Sequence, residues 1–199
     1  MSDDKSRIIL ASGSPRRRIL LKQIGLRFSV HPSRVVELLD PRISPVQNAK
    51  RIALEKAVDV ARHYRKGIVV GADTIVVLGK KILGKPRTSS EAKKMLQLLS
   101  GKQHLVFTGL ALVDIESGKN MVEMQRTAVT FRRLSKKEID GYVASGSPMD
   151  KAGAYGIQDD YGAVFVEKIN GCFYNVMGFP LAKFFVALGK FRLHVHNRN

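Results

Sequence analysis

The 199-residue chain has one cysteine, no tryptophan and only 7% aromatic residues. Cys172 alone excludes an intramolecular disulfide and any zinc site built from several thiolates, and a small buried hydrophobe is its expected role. The lack of Trp and the scarcity of other aromatics argue against a stacking platform for single-stranded nucleic acid. Nowhere do the ~18 consecutive apolar residues of a membrane span occur. The first apolar run, Ile8 to Ala11, is preceded by Asp3-Asp4 and halted by Ser12-Gly13-Ser14-Pro15, which fits neither a signal nor a transit peptide. A soluble, cytoplasmic protein is the expectation. Acidic residues are also few: 17 Asp and Glu stand against 34 Lys and Arg, a formal charge of +17. The excess lies in scattered groups such as Arg16-Arg17-Arg18, Lys80-Lys81, Arg132-Arg133 and Lys136-Lys137. It favours polyanionic partners without choosing between a nucleic acid and a small phosphorylated substrate.

A chain of this length makes one domain, or two small lobes sharing a core, and buries roughly 70% of its unfolded surface. The spacing predicts a strand at Ile8–Ala11 and a helix from Arg16 to Gln23, with Ser14 as N-cap and Pro15 at its first position. After a short strand at Phe28–Val30 and a polar, Pro-broken stretch from His31 to Ser44, Pro45 opens the longest helix. Its apolar face is Val46, Ala49, Ala53, Ala57, Val60 and Tyr64, with a stop at Gly67. Ile68-Val69-Val70 is expected as a buried strand that delivers Gly71-Ala72-Asp73-Thr74 at its C-terminal end. A hairpin around Gly79 follows. Helices are predicted behind capping boxes at Thr88–Glu91 and Ser135–Glu138. Two long strands, near 105–113 and 122–131, lie between them. A Gly-rich loop from Met149 to Gly162, a strand at 164–166, a helix beginning near Pro180 and a frayed tail after Lys190 complete the chain. Strands alternating with helices, but including long hairpins, predict an α/β fold on a mixed, twisted sheet.

Gly79 to Pro86 matches a Walker A pattern until its last position, where Pro supplies neither the hydroxyl nor the free amide that a phosphate loop needs. Three other segments could carry chemistry. Ser12 to Arg17 sets hydroxyls, amides and guanidinium groups where a strand turns into a helix, a natural anion site, although a capped helix start with surface arginines would look similar. Asp73, expected beyond a buried strand, could hold a cation or polarise water, with Lys56, Lys85 and Glu37 as company. A site for a triphosphate, with about four negative charges, needs such cations together with carboxylates to hold a divalent metal. In Asp150 to Gln158 the small residues allow close backbone approach, Tyr155 offers an aromatic face, and Gln158 offers the donor and acceptor pair that suits a base edge.

Leu10-Ala11-Ser12-Gly13-Ser14-Pro15-Arg16-Arg17, Gly71 to Thr74, Gly84-Lys85-Pro86, Thr108-Gly109, Asp150 to Gln158 and Asn175 to Pro180 resemble, in order, the signatures of the Maf family of nucleoside triphosphate pyrophosphatases. The resemblance runs from about residue 7 to 188. It implies a single Maf-like domain with the fold of the inosine triphosphate pyrophosphatases, a mixed sheet in two lobes with a cleft between them. It also implies metal-dependent cleavage of a nucleoside triphosphate to monophosphate and pyrophosphate, and a homodimer. By the same resemblance Asp73 is the proton acceptor. Ser12, Arg16, Lys56 and Lys85 are phosphate-side residues, and Glu37 lies near the metal, so Glu37 and Asp73 are the implied ligands of Mg2+ or Mn2+. Arg17, Thr74 and Gln158 match the branch that prefers dTTP and UTP. Ser147, where many members have Glu, and a longer loop after Gln158 depart from the pattern beside the base-reading segment. The alternatives are a purine or 7-methyl-GTP pyrophosphatase of the same fold, and a basic nucleic-acid-binding or cell-division regulatory protein that does not use the site.

Overall fold

The computed structural model describes residues 7–158 and 160–196. The expected N-terminal tail at 1–6, residues 197–199 of the expected C-terminal tail at 191–199, and Asp159 of the Gln158 loop lie outside the described residues. The strands are β1 (Ile8–Leu10), β2 (Phe28–Val30), β3 (Ile68–Leu78), β4 (Lys81–Leu83), β5 (Gln103–Asp114), β6 (Asn120–Phe131) and β7 (Val166–Asn170). The helices are α1 (Pro15–Gln23), α2 (Pro45–Ala61), α3 (Ser89–Leu99), α4 (Lys136–Ala144), α5 (Phe173–Val176) and α6 (Leu181–His196). The strands order as β2-β1-β3-β5-β6-β7, with β4 paired to β3. β1 runs parallel to β2 and β3, whereas β3–β4 and β6–β7 are antiparallel, so the sheet is mixed as expected.

The chain forms two compact units. Among the described residues unit 1 comprises 7–73, 108–125 and 178–196, and its core joins the small side chains of α2 (Ala53, Ala57, Val60) to Ile9, Val69, Ala111 and Val113 of the sheet and to Ala11 just after β1. α2 starts at a full capping box between Ser44 and Gln47 with Pro45 behind it. Two glycines let this helix lie close to the strands. A Cβ on Gly71 of β3 would stand 2.1 Å from the Ala53 carbonyl oxygen, and one on Gly109 of β5 would stand 2.3 Å from that of Ala49. α6 buries Phe184 and Phe191.

Unit 2 comprises residues 74–107 and 126–177. Its core gathers Leu96 and Leu99 of α3, Ile139 and Tyr142 of α4, and Val106, Val129, Phe131, Tyr155 and Phe165. Ser135 and Glu138 form the reciprocal capping box expected of α4.

Several boundaries differ from expectation. β3 does not stop at Val70 but continues to Leu78, because Gly71 serves helix packing and makes no turn. α2 ends at Ala61, short of Gly67, whose φ of 118° belongs to the turn into β3. Thr88 caps α3 through the Glu91 amide, but the Glu91 carboxylate accepts from the Arg87 amide, so that box is half formed. Residues 160–165 form a 3-10 turn and β7 begins only at Val166. The expected tail is helical through His196, since Phe191 is buried on the core side of α6.

Candidate active site

Asp73 lies in mid-strand, which corrects its expected place at a strand end. Ala72, Ile75 and Val76 around it are buried. On the close-packed α2, Lys56 falls on the buried face, and its Nζ donates to Asp73 Oδ1 and to Glu37 Oε1, each at 2.7 Å. The Lys56 and Asp73 side chains are only 7% and 8% exposed, whereas Glu37 is 40% exposed. Two carboxylates from separate parts of the sequence thus converge on the Lys56 ammonium. Burial pushes the Asp73 carboxyl above its ordinary value and outweighs the opposing pull of Lys56 and Arg17; the Glu37 charge adds to the rise.

Arg17 turns inward from α1. Its Nη1 donates to Ser12 Oγ at 3.0 Å and its Nε to the Gly178 carbonyl at 3.0 Å, tying the β1–α1 turn to the segment that precedes α6. Burial lowers its basicity and Arg16 adds to that, while Asp73 and Glu37 oppose it. Ser12 Oγ also accepts from the Ser14 amide, in place of a side-chain cap from Ser14. Arg16 is half-buried in the first turn of α1. Ser12, Arg17, Glu37, Lys56 and Asp73 form one polar cluster in unit 1.

The segment carrying Glu37 is itself held to α2, which the sequence did not reveal. Asp59 Oδ2 accepts from Ser33 Oγ at 2.7 Å and from the Arg34 amide at 3.0 Å. Arg51 Nη2 donates to the Leu38 carbonyl at 2.6 Å, and the Asn48 amide pairs with the Asp40 backbone in both directions. These contacts join residues well apart in sequence and leave no periodic trace in it.

The remaining candidates belong to unit 2. Thr74 is half-buried in β3 and Lys85 is exposed after β4, where the Gly84 carbonyl accepts from the Gly153 amide at 3.0 Å. Gln158 is half-buried, and its Oε1, shielded from solvent, has no hydrogen-bond partner among the described residues. Such an orphaned acceptor suits a ligand donor. Tyr155 does not present the expected aromatic face. It is buried, its hydroxyl pairs with His104 Nε2 at 2.8 Å, and it packs edge-on against His104 and Phe131. The Ser147 carbonyl accepts from the buried Lys151 Nζ at 2.5 Å, so Ser147 serves as a lysine anchor.

The sequence matches the model of the Maf-like protein family over residues 7–191. The chain belongs to this family. Among its curated relatives, the dTTP/UTP pyrophosphatase of Desulforamulus reducens is 48% identical over 94% of this chain and 98% of its own length. The dTTP/UTP pyrophosphatases of Methanosarcina barkeri (49% identical; 87% of this chain, 88% of its own) and Bacillus cytotoxicus (48%; 93% and 95%) are similarly close. In this Maf-like chain the donors suited to a divalent metal are the carboxylates of Glu37 and Asp73. Hard oxygen donors fit Mg2+ or Mn2+. Among the described residues no three His, Cys, Asp or Glu converge. Two carboxylates would leave most of a Mg2+ shell to other oxygen donors, the usual manner of that ion. No helix among the described residues is long and apolar enough to cross a membrane.

Proposed function

We propose that this chain is a nucleoside triphosphate pyrophosphatase that hydrolyses dTTP and UTP to the monophosphate and pyrophosphate, as its relatives' names say of them, clearing such nucleotides from the pool. The observation that carries the reading is the buried Lys56–Asp73 pair, joined by the exposed Glu37, in a chain so similar to those relatives over nearly its whole length. Asp73 is the proton acceptor. Its carboxyl, made more basic by burial, takes a proton from the attacking water as the water oxygen bonds to the α-phosphorus and the bond to the bridging oxygen breaks. Lys56 holds the Asp73 oxygen in place and, with Arg16, supplies positive charge against that of the phosphates. A divalent cation held by Glu37 and Asp73 would neutralise phosphate charge there. Ser12 presents a hydroxyl whose position Arg17 sets; Arg17 is therefore a positioning residue in this scheme.

Thr74, Lys85 and Gln158 keep the substrate-binding roles that the resemblance gives them, and the orphaned Gln158 Oε1 supports base reading. The cytoplasmic location and the homodimer belong to the same proposal. The test is hydrolysis of a panel of triphosphates with magnesium, with pyrophosphate as the product measured. Turnover of dTTP and UTP well above that of GTP and 7-methyl-GTP is expected; tight DNA or RNA binding with no turnover of any triphosphate would overturn the reading.

A further inference from the structure

The strap from Ser33 to Asp40 runs antiparallel to α2 and is bound to it in register. Asp59 takes Ser33 and Arg34, Lys56 takes Glu37, Arg51 takes the Leu38 carbonyl, and Asn48 takes the Asp40 backbone. The eleven-residue step from Asp59 to Asn48 spans about 16 Å of helix; the seven-residue step from Ser33 to Asp40 could reach about 24 Å fully extended, so the strap covers that span with slack. The strap has no ladder of its own among the described residues. Its one internal backbone bond runs from the Leu38 amide to the Val36 carbonyl. The neighbours of Glu37 are apolar and exposed, Val36 at 72% and Leu38 at 69%. A slip of one residue would set Val36 or Leu38 against the Lys56 ammonium and take the strap's carboxylate away from Asp73.

We infer that the polar face of α2 is a register template for this strap, and that Asp59, which touches no reacting group, is a positioning residue that sets Glu37 on Lys56. Asp59 suits the task because one of its carboxylate oxygens accepts both the Ser33 hydroxyl and the Arg34 amide, and charge-assisted bonds of this kind are among the stronger ones. The Ser33 hydroxyl accepts in turn from the Val35 amide at 3.1 Å, so three consecutive residues are fixed just before Glu37. The inference rests on the proposed role of Glu37, and its test separates the two.

The variants are Asp59→Ala, Asp59→Asn, Glu37→Gln and the double variant Asp59→Ala/Glu37→Gln. The readouts are kcat/KM for dTTP and amide hydrogen exchange over residues 33–40. Misplacing a reacting group by about 1 Å can cost on the order of a hundredfold, so Asp59→Ala is expected to lose about ten- to hundredfold in kcat/KM. Asp59→Asn, which keeps an acceptor oxygen, should recover most of that. In the Glu37→Gln background the Asp59→Ala loss should largely vanish, because the group being positioned is already gone. Exchange at the Arg34 and Val35 amides should quicken in Asp59→Ala, while α2 stays protected. Losses that multiply in the double variant, or unchanged exchange over the strap, would overturn the inference. A parent protein that turns over no triphosphate would instead count against the proposed function, and the exchange readout still decides whether Asp59 fixes the strap.

Discussion

Replacing Lys56 by Met removes the ammonium and keeps an unbranched side chain of similar bulk. Two carboxylates lose their partner, with unequal consequences. Glu37 is 40% exposed and can rehydrate, so its loss costs little. Asp73, 8% exposed in mid-strand, cannot. Breaking a buried pair from one side costs about 3–5 kcal/mol, because the remaining charge is uncompensated. In a chain of about 200 residues each kcal/mol shifts Tm by about 2–4 °C, so Lys56→Met should melt roughly 6–20 °C below the parent. Adding Asp73→Asn removes the stranded charge and should return most of the loss. Turnover should not return, since a missing general base costs about 10²–10⁴ in rate. Thermal melts and pyrophosphate release from dTTP, measured on the parent, both single variants and the double, complete the cycle. A Lys56→Met protein melting within about 2 °C of the parent, or a double variant no more stable than Lys56→Met, would refute a stability argument built on one buried ammonium.

Four further outcomes follow from particular contacts. Asp73→Asn alone should lose turnover by the same 10²–10⁴ while the protein stays folded; a stable variant with parental turnover would remove Asp73 from the mechanism. Gly71→Ala should be destabilised by about 1–3 kcal/mol in urea melts, because its Cβ would meet the Ala53 carbonyl at 2.1 Å. His104 is buried with its titration pushed down to about 4, so the unfolded chain binds the extra proton. That stability is complete above about pH 6.5, is lost as pH falls toward 4, and amounts to about 2 kcal/mol between pH 7 and 5; His104→Leu should flatten that part of the urea-midpoint profile. Gln158→Ala should narrow the preference for UTP over CTP more than it weakens triphosphate affinity, and an unchanged ratio of the two kcat/KM values would count against base reading by its orphaned amide.

What local pattern encodes was legible in the sequence. The spacing of Ala49, Ala53, Ala57 and Val60 announced α2, and the Ser135–Glu138 signature announced α4. The sequence points to Asp73, Lys56 and Glu37 together but not to their arrangement, because Gly71 reads as the end of a strand. Its real reason, the Ala53 carbonyl against it, lies eighteen residues away and on another element. The resemblance makes Arg17 a substrate-side residue, but its inward turn depends on the Gly178 carbonyl, 161 residues further on, which no local pattern announces. The burial of Tyr155 is hidden for a similar reason, since its hydroxyl is satisfied by His104, whose own position gives no hint of a partner. Short-range capping and periodicity write themselves into neighbouring residues, whereas a hydrogen bond between distant segments does not.

The contact of α2 with Gly71 and Gly109 has a mechanical corollary. Backbone atoms already touch at these two points, so the helix has no room to move inward and can yield only by lifting away. Warming, a bulkier residue at either glycine, or a loosened neighbour would all lengthen the reach from Lys56 to Asp73, and none would shorten it. The hard stop gives the carboxylate a partner at a fixed minimum distance whatever side chains fill the rest of the core, and it makes disturbance one-sided: activity should fade with temperature before the cooperative melt begins.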